Sequence, residues 1–207
     1  PLVTFSNDAK TANYLLELVT SIDQTAGSLL ERWTGNLREN FIGNGGTQLG
    51  SSVSVQLNET LVYYEIHIRG NKVGIPIGRL GPLDTPFDSD STKIEAYFQS
   101  LADGNDNVSL SLVRAAINEM EDIYLGRSPE GEDGIGYEDL LLEMNQESLD
   151  TDIKAQFQAI YDAIDNRNSI LGDEDLYNNI QALLTLYKSD LFPVLNVQDA
   201  DGRNDGD

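Results

Sequence analysis

This chain has one histidine, no cysteine and 35 carboxylates that could take part in acid–base or metal chemistry. His67 is the single imidazole, so a zinc site built on two spaced histidines is excluded. Gly70 stands three positions after it, so an H-x-x-E arrangement is absent as well. Glu65 lies two positions before it, a spacing that directs the two side chains to different faces of a helix. We expect His67 to be a surface or hydrogen-bonded core histidine.

Other catalytic arrangements also lack support. Any Ser/His/Asp triad would have to use His67, and no G-x-S-x-G elbow is present. No G-x-x-x-x-G-K-[ST] loop is present either, so nucleotide binding is not indicated. Carboxylates are too numerous for spacing to select an acid/base pair. We therefore expect no catalysis from this chain alone.

The C-terminal stretch DADGRNDGD places four aspartates, Asp199, Asp201, Asp205 and Asp207, at alternating or near-alternating spacing with two glycines. Oxygen ligands at such spacing suit Ca²⁺, but the stretch lacks the bidentate glutamate that ends a calcium loop. An acidic chain end in solvent and a cation site formed by these residues both remain open. The same alternatives apply to 128–152, with nine carboxylates and no Lys or Arg.

The charge balance narrows the choice of partners. Thirteen basic residues stand against 35 acidic ones, for a net charge of −22. Such a chain is a poor electrostatic ligand for nucleic acid or anionic lipid and a better one for cations. No apolar run approaches the ~20 residues that span a bilayer, so no transmembrane span is predicted. Because the chain begins at Pro1 without a signal-like segment, we expect a mature or trimmed product.

Apolar residues at steps of three and four predict the first helices. The first runs from about Ser6 to Trp33, with Gly35 as its stop, and the second from about Leu49 to Ile68, ended by Gly70 and Asn71. The inward face of the first is predicted to hold Ala12, Leu15, Val19, Ile22, Ala26, Leu29 and Trp33. The second should direct inward Val53, Leu57, Leu61, Tyr64 and Ile68.

A segment from Lys72 to Asp90 with three prolines and three glycines is incompatible with regular helix. The helices predicted after it are Ser91–Asp103, Asn107 or Ser109 to Gly126, Tyr137–Met144, Ser148–Leu171 and a last one capped by Asp173 and ended or kinked by Pro193. The second of these should direct inward Leu112, Val113, Ala116, Met120 and Ile123. Together they predict an all-α, up-down helical bundle of about six to seven helices with one long ordered Gly/Pro-rich loop.

Three segments, in this order, carry a family resemblance: KVGIPIG at Lys72–Gly78, KIEAYF at Lys93–Phe98 and VLNVQDADG at Val194–Gly202. Their order resembles the C-terminal half of imelysin-like proteins of the Bacteroidetes type, which are classed with the imelysin peptidase family. That family is known for a G-x-H-x-x-E motif in its N-terminal half, near the junction of the halves. The motif is absent from this chain.

The resemblance implies an all-α fold of two bundle-like halves, in which residues 1–207 are one helical-bundle domain, the C-terminal half, and 199–207 its acidic tail. It implies export to the periplasm or the cell surface, as an outer-membrane lipoprotein anchored only through a lipidated N-terminus outside this chain. It also implies a link to iron or metal uptake or to proteolysis. The expected partner is an N-terminal half, or a second chain, that carries H-x-x-E.

Three functions are consistent with these observations. In the first, the chain is a non-catalytic half whose Lys72–Gly78 corner borders a site that the other half completes, with Glu65, His67, Lys72, Gly74 and Pro76 as one wall. In the second, it belongs to an imelysin-type metallopeptidase whose iron or zinc is held by the H-x-x-E of the other half. In the third, it is a calcium- or cation-stabilised binding module. None assigns a catalytic residue to this chain.

Overall fold

The computed structural model describes residues 9–77, 79, 108–170 and 174–199. Across these ranges the chain forms an all-α helical bundle without a strand, which confirms the predicted fold class. The one extended pairing between described residues is an isolated antiparallel bridge between Arg127 and Asp133. The predicted helix Ser91–Asp103 and most of the Gly/Pro-rich loop lie outside the described residues.

The helices vary from three to 24 residues in length. They are α1 (Ala9–Arg32), α2 (Arg38–Gly43), α3 (Ser52–Val62), α4 (Val108–Leu125), α5 (Tyr137–Glu143), α6 (Glu147–Asp165), α7 (Asp175–Leu186) and α8 (Phe192–Val194). Wider π-type turns join some of them: the first π segment is Trp33–Leu37, the second Tyr63–Gly74 and the third Tyr187–Leu191. Gly35, the predicted stop, is the residue where the backbone leaves helical geometry between α1 and α2.

The helix predicted over Leu49–Ile68 starts later and runs further. It begins at Ser52 and continues from α3 through the second π segment to Gly74, so the prediction that Gly70 and Asn71 end it is wrong. Hydrogen bonds that reach five residues back sustain it, as from the Ile75 amide to the Gly70 carbonyl at 2.9 Å. Lys72–Gly74, predicted as loop, is therefore helical, because the burial of Ile68 and Val73 outweighs the low helix propensity of the glycines.

Two later helices also differ from their predictions. α6 ends at Asp165 rather than Leu171, because the Asn166 and Arg167 amides turn back to the carbonyls of Asp162 and Ile164. α4 has nearly its predicted bounds, but Leu112, predicted to point inward, is exposed. The buried face of α4 instead repeats through Leu110, Val113, Ile117, Met120 and Tyr124.

The apolar core is built by α3, the second π segment and the elements from α4 to α8. α6 packs against α7, and α7 packs in turn against the second π segment, so these three elements form the centre of the bundle. Phe157, Ile160 and Leu183 are completely buried there. This packing fixes the second π segment, which carries the predicted site residues.

The predicted inward face of α1 is wrong for the described structure. α1 buries none of its residues, and its main packing partner is the π segment that follows it. The amphipathic pattern does produce a helix, but the described residues supply nothing that covers its apolar side. The exposed large apolar residues on this element and its end are Tyr14, Leu15, Leu16, Leu18, Val19, Ile22, Leu29, Leu30 and Trp33.

Candidate functional site

The five residues predicted as a site wall all lie on the second π segment or on the turn directly after it. Gly74 and Pro76 are buried, Lys72 is half-buried, and Glu65 faces the body of the bundle. His67 is exposed on another side of the helix. The structure therefore brings four of the residues to the packed side of the corner and leaves the histidine away from Glu65, as their spacing of two indicates.

Glu65 is the centre of a partly buried ion-pair cluster. Lys188, on the third π segment, donates to both Glu65 carboxylate oxygens, at 3.0 Å and 3.1 Å. Arg69 Nη2 donates to Glu65 Oε1 at 3.3 Å. The three side chains are 12% (Glu65), 20% (Lys188) and 7% (Arg69) exposed, so water screens them weakly. Two cations thus engage the carboxylate, which fastens the second π segment to the third and is not presented to a substrate.

An aromatic ring extends this cluster towards the corner. The Arg69 guanidinium lies 5.6 Å from the centroid of the Tyr177 ring, and that of Arg79 lies 5.1 Å from the same centroid. Arg79 also forms an ion pair with Glu174, and the hydrogen bond that its guanidinium donates to that carboxylate raises the pKa of Arg79 above its ordinary value. Nε of the buried Arg69 has no hydrogen-bond partner among the residues that the structure describes.

Sequence reasoning missed Arg69, Arg79 and Lys188. The spacing of Glu65 and Arg69, four positions apart on a predicted helix, was a usable signal for the first pair. Lys188 lies 123 positions from Glu65, and no periodicity connects them. With Lys72, these make four of the chain's 13 basic residues within one region of a protein whose net charge is −22.

His67 has the surroundings of a surface residue rather than those of a ligand. Its ring lies 5.5 Å from that of Tyr63, at an interplanar angle of 45°. Over the part of the chain that the structure describes, no group of three or more His, Cys, Asp or Glu residues could hold a metal ion. Asp199 is exposed, whereas Asp201, Asp205 and Asp207 lie outside that part, so the cation site at the tail stays a prediction.

One carboxylate of the acidic stretch 128–152 is inside the protein. Asp150 is buried and accepts hydrogen bonds from the Tyr124 hydroxyl at 2.8 Å and from Lys154 Nζ at 3.0 Å. Lys154 also forms an ion pair with Glu138, which connects α6 to α5. Burial, and then the hydrogen bond with Asp150, raises the pKa of Tyr124 far above its ordinary range. Neither interpretation of the stretch, solvated face or cation site, anticipated this structural role.

Residues 128–136 of the acidic stretch lie in an ordered loop between α4 and α5. Its two ends approach so closely that a Cβ on Gly136 would lie 2.4 Å from backbone atoms of Tyr124 and Leu125. The Ser128 hydroxyl accepts hydrogen bonds from the amides of Glu130 and Glu132, which shapes the loop from within. Beside it lies an open cleft of about 440 Å³ with the apolar residues Val53, Ile123 and Leu140 in its lining.

None of the helices in the described ranges has the length and apolar character needed to cross a membrane. A scan against models of protein families finds no match for this chain, and comparisons with curated proteins and with solved structures find none either.

Proposed function

We propose that this chain is the non-catalytic half of an exported imelysin-like helical protein, at the cell surface or in the periplasm, that takes part in iron or metal uptake. The resemblance rests on the order of KVGIPIG, KIEAYF and VLNVQDADG. The all-α bundle is the fold which that resemblance implies. The catalytic motif H-x-x-E would belong to the other half or to a second chain.

The single observation that carries the proposal is the packed corner after the second π segment. Gly74 and Pro76 are buried, and the helix that leads to them is fastened through Glu65 to Lys188 of the third π segment. A rigid backbone held in this way is suited to border a site, because its position does not depend on a ligand. His67, the chain's single imidazole, is exposed and turned away from this wall.

The test begins with the native protein isolated from its source cells. We expect an intact mass above the 22.8 kDa of this chain, or a co-eluting second chain, with H-x-x-E in the additional sequence. We also expect the protein in the periplasmic or outer-membrane fraction, with iron or another transition metal bound. A gene product that starts near Pro1 and elutes alone would contradict the half-protein model.

A pair of matched variants tests the corner itself. Lys72→Met, at the wall, should change metal content per protein and metal accumulation by the cells, whereas Arg38→Met, on the exposed α2, should leave both unchanged. If the two variants had the same metal content and the same metal accumulation, the corner would not be part of the site. Zinc-dependent peptide cleavage by the isolated 207-residue chain, abolished by a chelator, would contradict the non-catalytic assignment and favour the metallopeptidase.

A further inference from the structure

The cleft beside the loop between α4 and α5 has an apolar floor to which three helices contribute. Val53 of α3, Ile123 of α4 and Leu140 of α5 are half-buried in its lining, and its volume is about 440 Å³. The hydroxyl of the buried Tyr137 donates to Gln56 Oε1 at 2.7 Å, which joins the end of the loop to α3. The packed helices and this hydrogen bond fix the shape of the cleft.

Ile135 stands at the rim of this cleft and is 86% exposed. Its backbone is fixed on both sides, because the Gly134 amide donates to the Gly126 carbonyl at 3.1 Å and the Gly136 amide donates to Asp139 Oδ2 at 2.9 Å. A side chain on a backbone held in this way loses little entropy when a partner covers it. Small-molecule sites enclose most of their ligand, whereas Ile135 stays outside the cleft. The cleft therefore fits a segment of a protein that can also pack over Ile135.

Charge indicates the chemistry of that segment. Arg127 is the one basic residue in the lining, whose members all belong to the described residues, and it pairs with Asp122 at 3.7 Å. Glu59 is exposed on α3, one turn after Gln56. The adjoining loop adds three exposed carboxylates, Glu130, Glu132 and Asp133. A segment that carries Lys or Arg beside its apolar residue complements this rim.

The same charges disfavour occupants that come from this protein itself. The residues outside the described ranges have Lys93 and Arg203 as their basic residues, and the longest of these stretches, 80–107, carries six carboxylates against one lysine. A second copy would bring another net charge of −22 to the rim. Like charges placed opposite each other across an interface oppose binding. A separate, basic partner is therefore the occupant that the cleft favours.

We propose that this cleft binds a segment of a separate protein in which a large apolar side chain is flanked by Lys or Arg. The apolar side chain lies on Val53, Ile123 and Leu140, and Ile135 packs against the outer side of the segment. The basic side chains face the carboxylates of the loop. The site is separate from the Lys72–Gly78 corner, so it does not depend on the half-protein model.

Peptide selection on the immobilised 207-residue chain tests the proposal, with a phage library of random ten-residue peptides as the probe. We expect the recovered peptides to share one large aliphatic or aromatic residue with Lys or Arg close to it in sequence. As free peptides they should bind Ile135→Ser at least about tenfold more weakly than the wild type, the scale of one lost aliphatic contact. Leu112→Ser should bind like the wild type, because Leu112 is also exposed but lies ~16 Å before Ile123 along α4. Helical circular dichroism verifies that each variant folds.

Charge reversal tests the basic part of the segment. Glu130→Lys combined with Glu132→Lys should weaken binding about tenfold or more, and high salt should weaken binding to the wild type. Glu17→Lys combined with Asp23→Lys changes the net charge equally at exposed positions of α1, so this control should have a much smaller effect.

Four results would overturn the proposal. Recovered peptides without a shared motif, or with an acidic one, would show that the cleft does not bind a basic segment. Equal binding to Ile135→Ser and the wild type would assign the peptides to another surface. Binding that the loop reversal leaves unchanged would show that charge does not determine the partner. The chain has no cysteine of its own, so maleimide can label Ile135→Cys and Glu130→Cys specifically. Labelling of Ile135→Cys about tenfold slower than that of Glu130→Cys in the isolated chain would mean that this protein itself covers the cleft.

Discussion

Replacing Glu65 by alanine tests whether the corner is held by charge. In the wild type this carboxylate accepts from Arg69 at 3.3 Å and from Lys188 at 3.0 Å, and the side chains of all three residues are at most 20% exposed. Glu65→Ala leaves the Arg69 and Lys188 charges in a weakly hydrated position without the carboxylate that both engage. Removing one member of a buried pair costs about 3–5 kcal/mol, and the partial exposure of Lys188 places the expected loss near the lower end.

We therefore expect Glu65→Ala to lower the free energy of unfolding by about 3 kcal/mol. For a chain of this size, that loss corresponds to a fall in Tm of roughly 6–12 °C. Glu65→Gln keeps the shape and one acceptor oxygen, so it should cost less, about 1–2 kcal/mol. Urea unfolding followed by helical circular dichroism measures both values, and thermal unfolding verifies their order.

The matched control is Glu59→Ala, which removes an exposed carboxylate from α3, one and a half turns earlier. Exposed substitutions of this kind change stability by about 0.5 kcal/mol or less. If Glu65→Ala were as stable as Glu59→Ala, the cluster would contribute nothing and the corner would be held by apolar packing alone. Glu65→Gln removes the charge and keeps the shape, so a Gln variant as stable as the wild type would show that charge is not the reason.

Three further predictions concern other parts of the molecule. Gly136→Ala should lower the free energy of unfolding in urea by about 3 kcal/mol, because the new Cβ would meet backbone atoms. Gly27→Ala, with open space around it, should instead raise the helicity of α1. Equal effects of the two substitutions on stability would contradict the close approach at Gly136. Burial raises the pKa of Tyr124 and Tyr187 in the folded state, so the stability that their protons provide is complete below about pH 10 and lost above it. The tyrosinate absorbance at 295 nm that is missing from a Tyr124→Phe variant should therefore appear in the wild type together with loss of helix, and its appearance with the helix intact would refute this. If the tail binds Ca²⁺, millimolar Ca²⁺ should raise Tm by a few degrees in the wild type and not in Asp201→Ala, and no shift in the wild type would exclude the site.

Periodicity was a good guide to which segments are helical and a poor guide to where some of them end. The pattern from Val113 to Met120 identifies α4, and its buried face follows directly. Gly70 and Asn71, by contrast, indicate a helix end by propensity, yet tertiary packing against α7 carries the chain through them in π-type turns. Propensities of about 1 kcal/mol per glycine are easily outweighed by the burial of Tyr64, Ile68 and Val73.

The site was less predictable because its partners are distant in sequence. The order of glycine, proline and apolar residues in KVGIPIG was enough to predict a site wall at Lys72, Gly74 and Pro76. The cation–carboxylate contact of Lys188 with Glu65 depends on how the second and third π segments meet, which no local pattern encodes. Likewise, α1 shows why an amphipathic pattern predicts an apolar face but cannot say which body covers it.

The closure of the loop between α4 and α5 has a practical consequence for engineering. Its base is fixed by Gly126, Gly134 and Gly136, with the Gly134 amide bonded to the Gly126 carbonyl at 3.1 Å. Lengthening a loop with fixed ends costs little entropy, about 0.6 kcal/mol for each doubling. An epitope or a fluorescent reporter inserted between Glu130 and Glu132 should therefore leave the bundle folded. Such an insertion would allow the native protein to be detected in cells without any change to α1 or the corner.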